Sequence, residues 1–415
     1  MQGTRCVPCR LPLCAFIAVT MAVSPVIRIS FLQVGLKGAN RVRTKFWAGA
    51  VLTLCLSLIT TVAIADEPPA AGYVPAKLLE RDRITYPREA QLRGREGLIY
   101  YSFAIGPDGS TSDISFPYLT GSSDMHKAVK KWISRAKYQA ATLDGSPITT
   151  RSFGSVSFVL NGKTRGASRR FVSSWRKFTD AMRNRDLAEA REQLDELATN
   201  RDSSLYEELY LHQGWVTFLT AQQDYDAAYP HLKVIERFYD SDGTAQDEVV
   251  PIAFFYGPFL EKYQYEAQKL MLGDARQSLQ VLQELGPEEP NTTIVREHFN
   301  ALVERASGRP TRIDMTLDAN FHSGDSVSWN TWLLAQSFAV QNVEGAIDVV
   351  VADCDGGQLS ADVRNLQSEI HLPQAWSDCR LHVRGATGTS FSLWQAPTKI
   401  TAVGSDTAVA ASSGE

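Results

Sequence analysis

Tyr86-Pro87-Arg88-Glu89-Ala90-Gln91, then Gly94-Arg95-Glu96-Gly97 and the run Leu98 to Ile105, open the stretch that decides how the first folded region of this 415-residue chain is built. Ile99, Tyr101, Phe103 and Ile105 alternate with Tyr100, Ser102 and Ala104, the period of two expected of a strand with one buried face. Gly106-Pro107-Asp108-Gly109 turns the chain, because Pro presets φ and Gly accepts a positive φ. Ile114 and Phe116 carry the return strand. Ser122 or Ser123 can cap a helix on which Met125, Val129, Trp132, Ile133 and Ala136 form one apolar stripe. Asp144-Gly145 marks the next turn. Val156, Phe158 and Leu160 form the inward face of a last strand, whose other face shows Ser155 and Ser157.

This order of residues resembles the C-terminal domain of TonB, the bacterial energy transducer that engages outer-membrane transporters. The likeness is carried by Tyr86-Pro87-x-x-Ala90-Gln91, Gly94-x-Glu96-Gly97, the strand to Ile105, Asp108-Gly109, the serine-capped helix, Tyr138 with Ala141, and Asp144-Gly145-x-Pro147. It departs from the family at Ala140, where a proline is usual, and in the sparser basic-aromatic run Trp132 to Lys137. The resemblance implies binding by strand addition: a sheet edge offers unpaired N–H and C=O groups to an extended segment of a partner, in the family the "TonB box" of a transporter. Carried over, it assigns Tyr86, Pro87 and Gln91 to the contact region and Phe153 to Leu160 to the edge, with Phe153, Val156 and Phe158 as its partner-binding side chains. The plainer reading is that Tyr86-Pro87 starts a strand and Gln91 is an ordinary surface residue.

Ahead of this stretch, Arg41, Arg43 and Lys45 precede the apolar run Phe46 to Ile64, which ends in Ala63-Ile64-Ala65. That is the pattern of a signal peptide cleaved after Ala65, the alternative being an uncleaved anchor that holds the protein to the inner membrane facing the periplasm. Cleavage removes Cys6, Cys9, Cys14 and Cys55 and leaves Cys354 and Cys379. Two cysteines in an oxidising compartment predict one disulfide, placed where it could staple two sheets. Between Ala65 and Tyr86 lies a spacer of only ~20 residues, a reach of about 70 Å at most, without the long Pro-rich arm of the TonB family.

Beyond Lys163 the period changes. Phe171, Trp175, Phe178 and Met182 share one helical face, and Leu187, Ala190, Leu194 and Leu197 share the next. Later pairs run through Leu209, Trp215, Leu219 with Tyr225, Ala228, Leu232, and through Phe255, Phe259, Tyr263 with Ala275, Leu279, Leu282. Asp186-Leu187-Ala188-Glu189-Ala190, Asp224-Tyr225-Asp226-Ala227-Ala228 and Gly273-Asp274-Ala275 look like entries to second helices of tetratricopeptide (TPR) units, at spacings longer than the ~34-residue standard. Such pairs stack into a solenoid whose concave side binds peptide or protein, the alternative being a plain helical bundle. From Arg312, alternation returns at Ile313, Met315 and Leu317 and at Ile347, Val349 and Val351. Short strands among Gly, Asp, Asn and Pro turns suggest a β-sandwich. Trp329, Trp332, Trp376 and Trp394 read as its core and rim or as a ligand platform.

A composition of 44% hydrophobic and 21% charged residues is that of an ordinary globular protein, and a net charge of −4 without long charged runs points to no nucleic acid or anionic membrane surface. The seven histidines are scattered, and neither a His-Glu-x-x-His pattern, a nucleophile elbow nor a phosphate loop occurs. Asp353-x-Asp355-Gly356-Gly357 and Asp240-x-Asp242-Gly243 lack the register and closing Glu of calcium loops and read as turns. The expectation is therefore a non-enzymatic envelope protein with no cofactor and no metal site. Its fold class is mixed α+β: leader 1–65, spacer 66–85, TonB-C-like α/β sheet domain 86–162, TPR-like α-helical solenoid 168–308, β-sandwich 311–397 and tail 398–415. Its expected partners are transporter peptide segments or other envelope proteins, with the chain as transducer or adaptor. A periplasmic assembly scaffold and a glycan-binding protein acting through the C-terminal region are the rivals.

Overall fold

The segment read as a spacer carries two short strands, Tyr73–Val74 (β1) and Lys77–Glu80 (β2), whose Tyr, Val and Leu residues suit a pleated surface. The computed structural model describes residues 72–160, 166–199, 204–240, 249–318 and 327–397. The leader expected over 1–65, with the expected cleavage after Ala65 and the first four cysteines, the turn expected at Asp242-Gly243 and the tail 398–415 lie outside them. Among the described residues no helix is long and apolar enough to cross a membrane.

Pro87 starts a one-turn helix, Arg88–Leu92 (α1). There follow Gly97–Ile105 (β3), Thr111–Leu119 (β4), the helix Ser123–Arg135 (α2), and the strands Lys137–Gln139 (β5), Ala141–Leu143 (β6), Ser146–Ile148 (β7) and Thr150–Phe158 (β8). The Asp108-Gly109 turn is built as its residues require. Gly109 has φ 77° and lies so close to the Tyr138 carbonyl that a Cβ would collide with it, while Asp108 Oδ1 accepts from the Ser110 amide at 3.0 Å. β3 is central in an antiparallel sheet of order β4-β3-β8. β1 joins the β6-β7 hairpin and β2 pairs with β5, so residues 73–80 are folded onto this region. Asp82 continues that cover, its carbonyl accepting from Trp132 Nε1 at 2.7 Å.

α2 lays Met125, Val129 and Ile133 on Ile99, Tyr101, Phe103, Ile105, Phe116 and Phe158, each such buried side chain contributing about 1.5–3 kcal/mol. The expectation of one buried face is corrected here, because the other face of β3 is covered as well: Leu98, Ser102 and Ala104 are all under 9% exposed.

Its cover comes from the rest of the chain. The helices are Arg169–Asn184 (α3), Leu187–Ala198 (α4), Leu205–Ala221 (α5), Tyr225–Asp240 (α6), Tyr256–Gln268 (α7), Leu272–Leu285 (α8) and Pro290–Ala306 (α9). Three helix-to-helix turns share one device: Arg185, Gln223 and Leu270 take positive φ, and the next amide returns to Ala181, Leu219 and Glu266 respectively. Asp186 and Asp224 then cap the following helices, accepting from the Glu189 and Ala227 amides at 3.1 Å each.

The strands Thr311–Leu317 (β9), Val327–Trp332 (β10), Ser337–Glu344 (β11), Ile347–Cys354 (β12), Gly357–Ser360 (β13), Ile370–His371 (β14), Arg380–Gly385 (β15) and Thr389–Gln395 (β16) form two four-stranded sheets, β10-β15-β12-β13 and β14-β11-β16-β9. A bulge between Ile347 and Val349 brings Val350 and Ala352 into the main core, while Val351 is buried as well and Val349 half-buried. The Cys354–Cys379 disulfide is present. It joins the end of β12 to the start of its neighbour β15 within one sheet, and does not staple two sheets. One core runs from Leu98 and Tyr118 through the helices to Val350 and Leu381, so all three regions share it.

Candidate partner-binding edge

β8 ends its sheet, with β3 on one side and no strand paired on the other among the described residues. The Leu98 amide donates to Thr120 Oγ1 and the Leu98 carbonyl accepts from the Thr120 amide at 2.9 Å. The even positions of β3 therefore face β4 and its odd positions face β8. With Gly97 opposite Phe158 and Ile105 opposite Thr150, the even positions of β8 bond β3. Arg151, Phe153, Ser155 and Ser157 turn their backbone groups outward.

Of the side chains expected at the contact, Tyr86, Val156 and Phe158 come together. The Tyr86 ring meets Phe158 edge-on at 5.3 Å, its hydroxyl donates to the Arg95 carbonyl, and Val156 packs on the same core. Burial, with the Glu96 carboxylate adding to it, pushes the Tyr86 phenol up to about 12, so it remains a donor at neutral pH. Phe158 is 3% exposed and works as a core residue. Pro87 sets the start of α1, its carbonyl accepting from the Gln91 amide at 2.9 Å, and Gln91 is exposed. Phe153 stands apart on the back of the sheet, stacked on His382 at 3.8 Å. Gly154 makes room for Tyr101, whose hydroxyl lies where a Cβ would point.

Sequence reasoning gave no role to the residues that tie this edge to the rest of the chain. Glu96 accepts from the Leu160 amide at 3.3 Å and the Leu205 amide at 3.2 Å, joining the end of β8 to the start of α5. Arg151 reaches Asp113 Oδ2 at 2.6 Å and Ser102 Oγ at 3.0 Å, and Arg384 of β15 donates to the same Asp113 oxygen at 2.8 Å. Burial works to raise the Asp113 carboxyl, but the hydrogen bonds and charges of Arg384 and Arg151 outweigh it and hold the group below the usual carboxylate range. Burial, with Arg380, Lys233 and Arg151 nearby, pushes His382 well down and keeps it neutral. The Arg151 amide donates to Gln358 Oε1, and Gln358 Nε2 donates to the Arg151 carbonyl at 2.8 Å. Only the small residues Ser102 and Ala104 hint at such contacts in the sequence, and neither names its partner.

A small antiparallel sheet with one covering helix and an open terminal strand is an architecture that can accept a further strand. Residues 82–160 match the family model described as Gram-negative bacterial TonB protein C-terminal, in agreement with the resemblance read from Tyr86 to Leu160. The solution NMR structure of Pseudomonas aeruginosa TonB CTD is similar, with 24% identity, covering 21% of this chain and 90% of that one at a TM-score of 0.20. Comparison with curated protein sequences finds no match.

Proposed function

We propose that this chain is a TonB-related protein of the bacterial envelope that holds an extended segment of a partner by strand addition on the outer edge of β8, with an outer-membrane transporter segment as the partner. The observation that carries the reading is the terminal position of β8, with Phe153, Ser155 and Ser157 turning their backbone groups away from β3. The side chains we assign to the contact are Tyr86, Pro87, Gln91, Phe153, Val156 and Phe158, the buried ones acting by shaping the strand.

Among the two transport roles we favour the adaptor. Residues 73–80 are paired with β6 and β5 and so cannot serve as an extended arm, and a leader cleaved after Ala65 would leave the protein free in the periplasm. The helical region, read as degenerate TPR-like pairs, and the β-sandwich-like region then present the edge to partners. Trp376 is buried, while Trp332 and Trp394 carry the guanidiniums of Arg380 and Arg312 on their faces, which gives the glycan reading little support.

The test is titration of the chain from Asp66 onward with a TonB-box peptide and its scrambled form. The ordered peptide should bind more tightly and slow amide exchange at Ser155 and Ser157. Equal binding of the two overturns the reading. N-terminal sequencing of the exported protein should begin at Asp66.

A further inference from the structure

The Arg151 end of the β8 edge is already occupied. One residue's carboxamide both accepts from the Arg151 N–H and donates to the Arg151 C=O, the double exchange that a neighbouring strand makes with an outward-facing residue of an antiparallel pair. The orientation of the Gln358 amide follows from its surroundings, since Nε2 faces two acceptors, the Arg151 carbonyl and Asp353 Oδ1 at 3.1 Å. Gln358 is 8% exposed and sits on β13, the terminal strand of its own sheet. Two sheet edges therefore abut and blunt each other. The contact is braced from several sides: the Cys354–Cys379 bridge holds the β12-β13 hairpin, Asp113 ties Arg151 to Arg384, and His382 backs Phe153.

We propose that Gln358 is an internal stand-in for an added strand, closing the Arg151 end of β8 and confining a partner segment to the stretch from Phe153 toward Leu160. The inference rests on the strand-addition reading and sets its register and length. The partner segment is short, roughly six or seven residues, or about 20 Å of extended chain, and a longer one must first displace Gln358.

The test uses the exported chain with Gln358→Met, similar in length and unable to make either bond, and Gln358→Glu, which keeps an acceptor for the Arg151 N–H and loses the donor to its carbonyl. In the parent, the Arg151 amide should exchange slowly. In Q358M it should exchange about tenfold faster or more, as expected for loss of a buried hydrogen bond, while the Thr150 and Ser152 amides, which face β3, stay as they were. Q358E should fall between, and it carries the test if Q358M fails to fold. Unchanged exchange at Arg151 overturns the proposal. With a TonB-box peptide, the parent should gain protection at Phe153, Ser155 and Ser157 but not at Arg151, and the variants should extend it to Arg151 and bind more tightly. Peptide protection of Arg151 in the parent overturns the closed end and leaves strand addition standing. No peptide binding to any of the chains, with the exchange difference at Arg151 intact, overturns strand addition and the register that rests on it.

Discussion

The two faces of β3 are covered by opposite means. On one, Ile99, Tyr101, Phe103 and Ile105 meet α2, which the chain supplies only a hairpin later. On the other, Leu98, Tyr100, Ser102 and Ala104 meet residues far along the sequence: the Tyr100 hydroxyl donates to the Arg237 carbonyl, 137 positions away, and the Arg237 guanidinium stands over the Tyr118 ring at 5.1 Å. Polar and small residues in alternation were therefore not the mark of a wet surface. They are the mark of a face closed by hydrogen bonds and close approach, where bulky apolar residues would hold the partner regions away.

If the α2 face is the stability core of the first region, Phe103→Ala should cost about 3–5 kcal/mol by leaving a cavity, read by urea unfolding. A loss under about 1 kcal/mol would break the comparison. Replacing Cys354 and Cys379 together by Ser frees a loop of 25-residue separation and should cost about 3 kcal/mol. Amide exchange at Arg151 should also rise, because the bridge supports the back-face partner and not α2. Glu96→Ala removes two charge-assisted bonds between β8 and α5 and should cost about 1.5–3 kcal/mol. The parent and this variant should differ in exchange at Leu160 and Leu205, with Val129 unaffected.

This asymmetry also explains what could be read before the structure. The β3-β4 hairpin, α2 and the Asp144-Gly145 turn were legible because period two, period 3.6 and turn chemistry are local signals. The strand edge was legible through the resemblance, though Phe158 serves the core and Phe153 the back face. The strands β1 and β2 were hidden by their brevity and by a Pro/Ala-rich neighbourhood. The entry of Val350 and Ala352 into the core beside a buried Val351 was not legible, because a single bulge shifts alternation without leaving a composition signature. Gln358 could not be found at all, since nothing in a lone glutamine announces the main-chain groups of Arg151, 207 positions earlier.

The smallest expected effect is the one most specific to the back face. Asp113 has φ 47°, a backbone region that Asn tolerates, so Asp113→Asn removes the charge with little strain. Arg151 and Arg384 then face each other without the carboxylate between them. Because the Asp113 side chain is 46% exposed, solvent screening keeps the cost at neutral pH to about 1 kcal/mol or less. The sign with pH is fixed by the lowered carboxyl. A group held below its unfolded value contributes stability that is present above that value and lost as pH falls through the folded one. The difference in stability between parent and D113N should thus be constant from neutral pH down to about pH 5 and shrink on further acidification as the parent's carboxyl takes up its proton. The contact between β8 and the C-terminal sheet should loosen in the same acidic window, visible as faster exchange at Arg151 in the parent, while the amides facing α2 hold. A difference between the two chains that does not change with pH would mean that Asp113 joins the sheets by shape and neutral hydrogen bonds, and the back face would then be closed without electrostatics.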